Sequence, residues 1–385
     1  MNRTEQKFNF KKTPWTCLSL AAAMGVGFLF LPVSSMAVTG QCANCHTMHN
    51  SQGGLAMAET YNYSTDTIST GGPNPVLLTG TCISCHTGDN DGLSTHAPFV
   101  NSTSEPTYTE DYAAVSASES LAGGNFWWVR NGAGIPDRKG HNVEDAADQD
   151  TLVIAPGGTL DFTAKQLKCA GVYGCHGDRA VGVPMTAIAG SHHGNVNGAL
   201  YTADETGNSY RFLDGIYGVE DADYEYTAQD GTTNHNQYYG VDRADDTVNN
   251  THTISSLCAQ CHPDFHNGSG NVADPFESPW LRHPTDFDLS DATGSEYADY
   301  GGNGANDYIV QAPVASAVMD GTVEDTLVLA DGNTAIVTCV SCHRAHGTPY
   351  DYILRWNYSE ITVNAAAGSG GGQGCFHCHT EKDGV

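Results

Sequence analysis

The sequence predicts a fold of mostly irregular loops with short helices and a few short strands, wrapped around a core that side chains alone do not fill. Of 385 residues only 39% are hydrophobic, while 44 are glycine, so apolar burial is small for this length. Twelve cysteines occur in six pairs, and a histidine directly follows each pair. Because the pairs are spread along the chain, we expect one unit rather than separate domains.

The first 37 residues are typical of a secretory signal peptide. Basic residues precede an apolar run over 18–33, and Ser-Met-Ala at 35–37 fits a cleavage site. The apolar run is shorter than the ~20 residues that span a bilayer, and Cys17 lacks a lipoprotein context, so we expect no membrane anchor. The predicted organisation is a signal peptide over 1–37 and one unit over 38–385, secreted through the periplasm to the outer cell surface or beyond.

Without residues 1–37 the chain has 12 Lys and Arg against 43 Asp and Glu, a formal net charge of −31. Such a field repels phosphate backbones and anionic lipid, so nucleic acid is excluded as a partner. Most acidic runs are expected to be solvated loops. A Ca²⁺ site over 89–92 is a weaker alternative, because its remaining ligands cannot be identified.

Five of the cysteine pairs have the spacing C-x-x-C-H, of which this composition would give about 0.02 by chance. The spacing lets two thiols reach the vinyl groups of one porphyrin while the next imidazole reaches the iron. A disulfide framework leaves the histidines unexplained, and a structural zinc needs four ligands from two motifs. The predicted haem c attachment residues are Cys42, Cys45 and His46; Cys82, Cys85 and His86; Cys258, Cys261 and His262; Cys339, Cys342 and His343; and Cys375, Cys378 and His379.

The sixth pair is longer, with five residues between Cys169 and Cys175 before His176. The extra residues must form a loop, which Gly171 and Gly174 make inexpensive. A disulfide with an unrelated histidine is the alternative, and whether both thiols form thioethers stays open. The even use of the other cysteines favours a sixth haem c, and the chain as a whole is predicted to be a multihaem c-type cytochrome.

Eleven further histidines are candidates for the second axial ligands. Imidazoles on both faces close an iron to substrates and favour electron transfer over bond chemistry. His377 lies inside a motif and is expected at the surface. The predicted distal ligands, one of which is surplus, are His49, His96, His141, His193, His266, His283 and His346, with His192 and His252 as alternates.

Local patterns predict how the motifs are carried. Hydroxyl residues over 253–257 can cap a helical turn that leads into Cys258. A hairpin is predicted from two β-rich runs over 326–338. Aromatic side chains are expected to pack on porphyrin edges, including Trp127, Trp128, Trp280 and Trp356.

The segments that flank the motifs are more specific than the motifs themselves. They are CANCHTMHNSQGG at 42–54, FWWV at 126–129, RKGHN at 138–142, APGG at 155–158, QL at 166–167, CAQCHPDFHN at 258–267, LRHP at 281–284, CVSCHRAH at 339–346 and the C-terminal motif. Read in order, they resemble the OmcS-type extracellular hexahaem cytochromes, which polymerise into conductive filaments. The likeness runs nearly from end to end.

The resemblance implies a filament in which haems follow one another closely within and between subunits. In that family the histidine of the CHTMH segment ligates a haem of the next subunit, the one attached at CHRAH. Carried over, His49 ligates the haem held by His343 of a neighbouring copy, and such head-to-tail contacts build an open polymer. The third motif departs from the family, with C-x5-C-H and Gly177, and His192 or His193 is a candidate for the missing ligand.

Three functions follow as hypotheses, and the first two differ chiefly in which iron His49 reaches. The first is an extracellular electron conduit that polymerises and passes electrons to other cytochromes or external acceptors, without enzymatic activity. The second is a discrete shuttle, periplasmic or at the outer surface, in which His49 closes an iron of its own chain. The third is a reductase of a small oxyanion or metal ion, which needs one open iron; no C-x-x-C-K motif typical of such enzymes occurs.

Overall fold

The computed structural model describes part of the chain. The described residues are 42, 45–46, 51–52, 55–56, 59–62, 67–70, 77–78, 80–90, 97–108, 120–131, 136–193, 200–201, 205–221, 235–243, 252–266, 285–289, 308–319, 335–361 and 374–379. All of them lie in one compact unit that spans Met36–Val385. None of the helices formed by these residues has the length and apolarity to cross a membrane.

Short α-helices carry three of the cysteine motifs, as predicted. The helices within the described ranges are α1 (Cys82–Cys85), α2 (Trp127–Asn131), α3 (Pro184–Ala187), α4 (Ile254–Ala259) and α5 (Cys339–Cys342). The Thr253 hydroxyl accepts a hydrogen bond from the Ser256 N–H at 3.1 Å, which caps α4 and confirms the predicted turn before Cys258. At α5, Thr338 and Ser341 form a reciprocal capping box.

Short strands form four sheets in the described part. The strands are β1 (Ser51–Gln52), β2 (Leu55–Ala56), β3 (Glu59–Asn62), β4 (Thr67–Thr70), β5 (Lys168–Ala170), β6 (Gly174–His176), β7 (Leu200–Tyr201), β8 (Gly218–Val219), β9 (Gln237–Tyr239), β10 (Phe287–Asp288), β11 (Ala315–Ser316) and β12 (Ile336–Val337). Strands β1 with β2, β3 with β4 and β5 with β6 are separate pairs, and the largest sheet has the order β10-β12-β11-β9-β8-β7. In that sheet only β9 and β11 run parallel.

The six-stranded sheet positions two motifs side by side. Ile336 on β12 and Ala315 on β11 are buried in a cluster with Leu257 of α4 and Val340 of α5. Because both helices pack on the same apolar surface, their cysteines become neighbours. The Cys339 N–H also donates to a serine hydroxyl of α4 at 3.2 Å.

A second apolar cluster joins the second and third motifs. Ile83 of α1 packs with Phe126 and Val129 around α2, and Cys169 of β5 lies against the same cluster. The described part of the chain therefore has several small cores, two of which lie beside a pair of motifs, as the low apolar content predicts.

The hairpin predicted over 326–338 is described only in its last part. Strand β12 falls within the second predicted strand and pairs antiparallel with β10 and β11. Residues 326–334 lie outside the described residues. The strand is confirmed, but Ile336 already pairs with Asp288 of β10 on one edge and Ala315 of β11 on the other, so β12 has no edge left there for a hairpin partner and the predicted hairpin pairing is wrong.

Candidate haem-binding centre

All five C-x-x-C-H motifs share one local geometry. In each, the histidine N–H donates to the carbonyl of the first cysteine at 2.8–3.1 Å, which closes one helical turn. Residues three and four apart on a helix share a face, so this turn brings both thiols and the imidazole to the same side. None of the twelve motif cysteines is in a disulfide, so each is available for thioether attachment.

The third motif brings its two cysteines together by pairing two strands instead of forming a helical turn. Strands β5 and β6 are parallel neighbours in which Lys168 pairs with Gly174 and Ala170 with His176, so Cys169 and Cys175 occupy adjacent positions about 4.8 Å apart. The five intervening residues form one coil of chain. The two cysteines are thus neighbours despite the longer spacing.

The predicted roles of the two glycines in this coil are confirmed. Gly171 has φ of +85°, and a Cβ there would collide with the carbonyl of Val181. A Cβ on Gly174 would lie 2.6 Å from the Ala170 backbone. The coil therefore closes only because both positions lack a side chain.

Four motif histidines are oriented by the backbone. Their Nδ1 atoms donate to carbonyls at 2.7–2.9 Å: His86 to Pro98, His176 to Arg211, His262 to Pro156 and His343 to Tyr352. A hydrogen bond from Nδ1 to a carbonyl fixes the tautomer and turns the Nε2 lone pair towards a metal, as is usual for ligating histidines.

Three imidazole pairs have the spacing that one iron requires. Ring centres lie 6.3 Å apart for His86 with His192, 6.2 Å for His262 with His141 and 6.4 Å for His176 with His346. Imidazole nitrogen binds a metal at about 2.0–2.1 Å, so, with about 1.1 Å from each ring centre to its nitrogen, two rings on one iron have centres about 6.3 Å apart. The residues present therefore fit bis-histidine haem.

Burial keeps several of these imidazoles neutral, which is the form that binds iron. Desolvation lowers the pKa of His86, His176 and His141 despite the carbonyl each contacts. For His346, burial and then nearby His176 lower the pKa to about 3. None of these groups needs to lose a proton to accept a metal at neutral pH.

Two histidines that the sequence ranked low share the ligand-like orientation of His141, whose Nδ1 contacts the Ala345 carbonyl at 2.6 Å. His252, an alternate, has Nδ1 2.9 Å from the Gly215 carbonyl and stacks on a tyrosine at 4.0 Å. His235, which the sequence did not indicate as a ligand, has Nδ1 2.9 Å from a carbonyl and stacks on Tyr308 at 3.7 Å. The contact that singles out His235 is with Tyr308, which lies far along the chain. No local sequence motif could therefore have indicated this histidine.

Two other histidines differ from expectation. His266, predicted as a ligand, is buried with Nε2 2.8 Å from the Asp286 carboxylate; this contact occupies the nitrogen that an axial ligand would use, so the structure favours another histidine. The expectation that His377 lies at the surface is wrong. Its side chain is 3% exposed, and burial next to Trp356 lowers its pKa to about 4.

Several predicted ligands fall where no side chain is described. His49, His96 and His283 lie outside the described residues. His193 is described only as the end of a 3₁₀ helix, Ser191–His193. Their ligand roles stay predictions.

Buried donors elsewhere are suited to the carboxylates of haem. Within the described part of the chain, Nε and Nη1 of Arg179, Nε of Arg344 and Nε1 of Trp356 are buried without a hydrogen-bond partner. Such donors are costly unless paired, and guanidinium groups bind carboxylates well. Haem propionates supply that chemistry, so these residues fit the group.

Sulfur atoms of successive motifs lie close together. Cys169 forms a side-chain contact with Cys82, and Cys258 with Cys339; these contacts lower the pKa of Cys82 and Cys339 and raise the pKa of Cys169 and Cys258. Burial, followed by a nearby sulfur, also raises thiol pKa values, to about 11 for Cys175 and about 12 for Cys342. The neighbouring sulfurs across motifs are Cys45 with Cys85, Cys175 with Cys261 and Cys342 with Cys375. The six motifs thus follow one another in space in the order of the sequence.

Comparison with known proteins agrees with these observations. Residues 332–384 match the family described as "doubled CXXCH motif". The chain is 29% identical over 388 aligned residues to the C-type cytochrome OmcS of Geobacter sulfurreducens, covering 86% of this chain and 82% of that protein.

Two solved structures are also similar. The outer membrane cytochrome S filament of Geobacter sulfurreducens has 26% identity and a TM-score of 0.47 over 83% of this chain and 84% of that one. The OmcS nanowire of the same organism, determined by electron cryo-microscopy, has 25% identity and a TM-score of 0.46 over 84% and 85%.

The motif geometry and the two sequence matches indicate the class: the chain is a multihaem c-type cytochrome of irregular loops, short helices and short strands. Haem c is its cofactor. Within that class, the resemblance to the OmcS-type cytochromes predicted from the flanking segments is confirmed by the match along most of the chain.

Proposed function

We propose that the chain carries six bis-histidine haem c groups and conducts electrons along them without catalysing a bond-forming reaction. When bound, the haem irons take up and release single electrons. The observation that carries the proposal is the spacing of the three imidazole pairs, 6.2–6.4 Å between ring centres. Histidines on both sides leave an iron no open position for a substrate, which disfavours a reductase.

The ring pairs support specific distal ligands. We assign His192 to the site of His86, His346 to that of His176 and His141 to that of His262. His346 thus serves a different motif from the one it follows, as its position four residues after Cys342 suggests. The candidates for the other three sites are His252, His235, His49, His96, His193 and His283.

The order of the motifs supports a linear path. Since each motif contributes a sulfur next to the following one, the protein fixes the distance between successive sites by covalent attachment and by the small cores beside them. The site at Cys169, Cys175 and His176 lies third in this order. Losing it would therefore interrupt the path rather than shorten it.

The proposed assembly is a head-to-tail filament in which His49 of one copy ligates the iron held by His343 of the next. The resemblance to the OmcS type and the setting of His343 support it. His343 is exposed, whereas His86, His176 and His262 are half-buried and each faces a second imidazole within the described residues. An exposed, backbone-fixed imidazole is suited to a site completed by a neighbour.

The proposal includes export by the 1–37 signal peptide, secretion to the outside of the cell without a membrane anchor, and delivery of electrons to other cytochromes or external acceptors. The net charge of −31 after residue 37 favours cationic partners and disfavours nucleic acid.

The test is His49→Ala in the full exported protein, imaged by electron microscopy. We expect wild-type fibres and no fibres from the variant, with one haem changing to high spin. Added imidazole should restore the low-spin spectrum but not the fibres, because it replaces the ligand without the covalent link between copies. Tyr358→Ala, at an exposed tyrosine, is the control and should form fibres. Normal fibres from His49→Ala would refute the junction, and a wild-type chain that stays monomeric at high concentration would favour the shuttle.

A further inference from the structure

Two motif histidines are held by the same arrangement of backbone bonds. At the third motif, His176 Nδ1 donates to the Arg211 carbonyl at 2.8 Å, and the next residue, Gly177, donates its N–H to the Phe212 carbonyl at 2.7 Å. Two consecutive carbonyls therefore hold two consecutive residues of the motif.

The fifth motif repeats this arrangement. His343 Nδ1 donates to the Tyr352 carbonyl at 2.9 Å, and the Arg344 N–H donates to the Ile353 carbonyl at 3.1 Å. The accepting residues differ, Arg-Phe at the third motif and Tyr-Ile at the fifth, although a leucine follows each pair. Shared geometry with different side chains indicates a role for the backbone itself.

The accepting residues all have left-handed backbone. Their φ angles are +49° for Arg211, +57° for Phe212, +64° for Tyr352 and +58° for Ile353. These are four of the seven non-glycine residues with positive φ in the described part of the chain. Such conformations are unfavourable for large and β-branched residues, so consecutive pairs of them persist only where the surroundings enforce them.

The left-handed pair has a geometric consequence. In helical backbone, successive carbonyls point the same way, whereas in extended backbone they alternate. A left-handed pair can therefore direct two adjacent carbonyls at one neighbouring segment. The fourth motif uses a related solution: His262 Nδ1 contacts the Pro156 carbonyl at 2.7 Å, and the Asp264 N–H contacts that of Gly157, whose φ is +65°.

We propose that Arg211–Phe212 and Tyr352–Ile353 are positioning residues for the axial histidines, and we name each pair a carbonyl clamp. The first bond of the clamp fixes the imidazole tautomer and increases ligand basicity. The second bond holds the peptide group that follows the histidine. The backbone therefore cannot rotate and carry the imidazole ring away from its position. The inference rests on the part of the proposed function in which His176 and His343 ligate iron.

Tyr352 allows the cleanest test, because its side chain is 62% exposed and can be changed with little loss of packing. Valine disfavours left-handed backbone strongly, while glycine and asparagine adopt it readily. Tyr358 is a matched control, since it is 67% exposed and is not among the positive-φ residues.

The experiment uses the haem-loaded full chain with Tyr352→Val, Tyr352→Gly and Tyr352→Asn, and Tyr358→Val as control. Haem content is measured by mass, and the strength of the iron–imidazole bond by titrating the reduced protein with carbon monoxide. In Tyr352→Val we expect about 10–100-fold less carbon monoxide to displace one imidazole, with a change in the low-spin resonance spectrum. The glycine and asparagine variants and the control should titrate like wild type.

The possible results distinguish failure of the clamp from failure of the proposed function. If haem is bound but Tyr352→Val titrates like Tyr358→Val, the clamp is refuted and the proposed function stands. The clamp is also refuted if the glycine variant weakens the bond as much as valine does, because glycine keeps the carbonyls in place. A wild-type chain without haem at Cys339 and Cys342 would refute the proposed function itself, and the clamp with it.

Discussion

His176 and His343 are held by the same two carbonyl bonds, yet their surroundings differ. Around His176, buried Glu220 accepts the Arg211 backbone N–H at 2.7 Å and pairs with its guanidinium at 3.2 Å. Around His343, the nearest ion pair of the clamp segment is Asp351 with Arg138 at 3.9 Å, and both side chains are about half exposed.

The difference separates a half-buried site from an exposed one. The His176 ring faces His346 of its own chain at 6.4 Å, and buried charge fixes its clamp. The clamp of His343 includes the exposed Tyr352. Similar local chemistry therefore serves a relay inside the subunit and, in our proposal, a contact between subunits.

The largest expected effect is Gly174→Ala, which sharpens the comparison at the His176 site. The new methyl would lie 2.6 Å from the Ala170 backbone, so the coil that brings Cys169 beside Cys175 cannot close. We expect the mass of the mature protein to correspond to one haem fewer.

Gly182→Ala is the control for this change, because a Cβ there meets nothing within 4 Å. It should retain the full haem content. Full haem content in Gly174→Ala would mean that attachment does not depend on the register of β5 and β6.

The next effect is His346→Ala, which removes the proposed distal ligand of the His176 iron. We expect one low-spin haem per chain to become high spin, as measured by paramagnetic resonance. His377→Ala is the matched control, since His377 is also buried but is not assigned to an iron; it should cost about 1–3 kcal/mol of stability and create no high-spin haem. An unchanged spectrum in His346→Ala would refute the assignment of His346 to the His176 iron.

Stability should also distinguish the two clamps, with smaller effects. Glu220→Gln weakens charged hydrogen bonds to Arg211 in a buried setting, and should lower the free energy of unfolding by about 1–3 kcal/mol. Asp351→Asn changes an exposed pair, so we expect a loss below about 1 kcal/mol. Urea unfolding of both variants measures the difference, and equal losses would contradict the division into a half-buried and an exposed site.

The sequence predicted the local features that haem attachment requires. Attachment spacing, the helical turn into Cys258 and the glycines of the third coil depend on a few adjacent residues, and the structure agrees with each. The position of the second imidazole depends on tertiary contacts instead: His192 lies 106 residues after His86 in the sequence, yet their ring centres are 6.3 Å apart. His377 was misplaced because the motif pattern carries no information about the packing of Trp356.

The central claim is that every iron in the chain has two histidine ligands. Paramagnetic resonance of the fully oxidised wild-type protein, with haem counted by mass on the same sample, tests it most directly. We expect six haems per chain, all low spin. A stable high-spin signal equal to one haem, or a count below six, would contradict it.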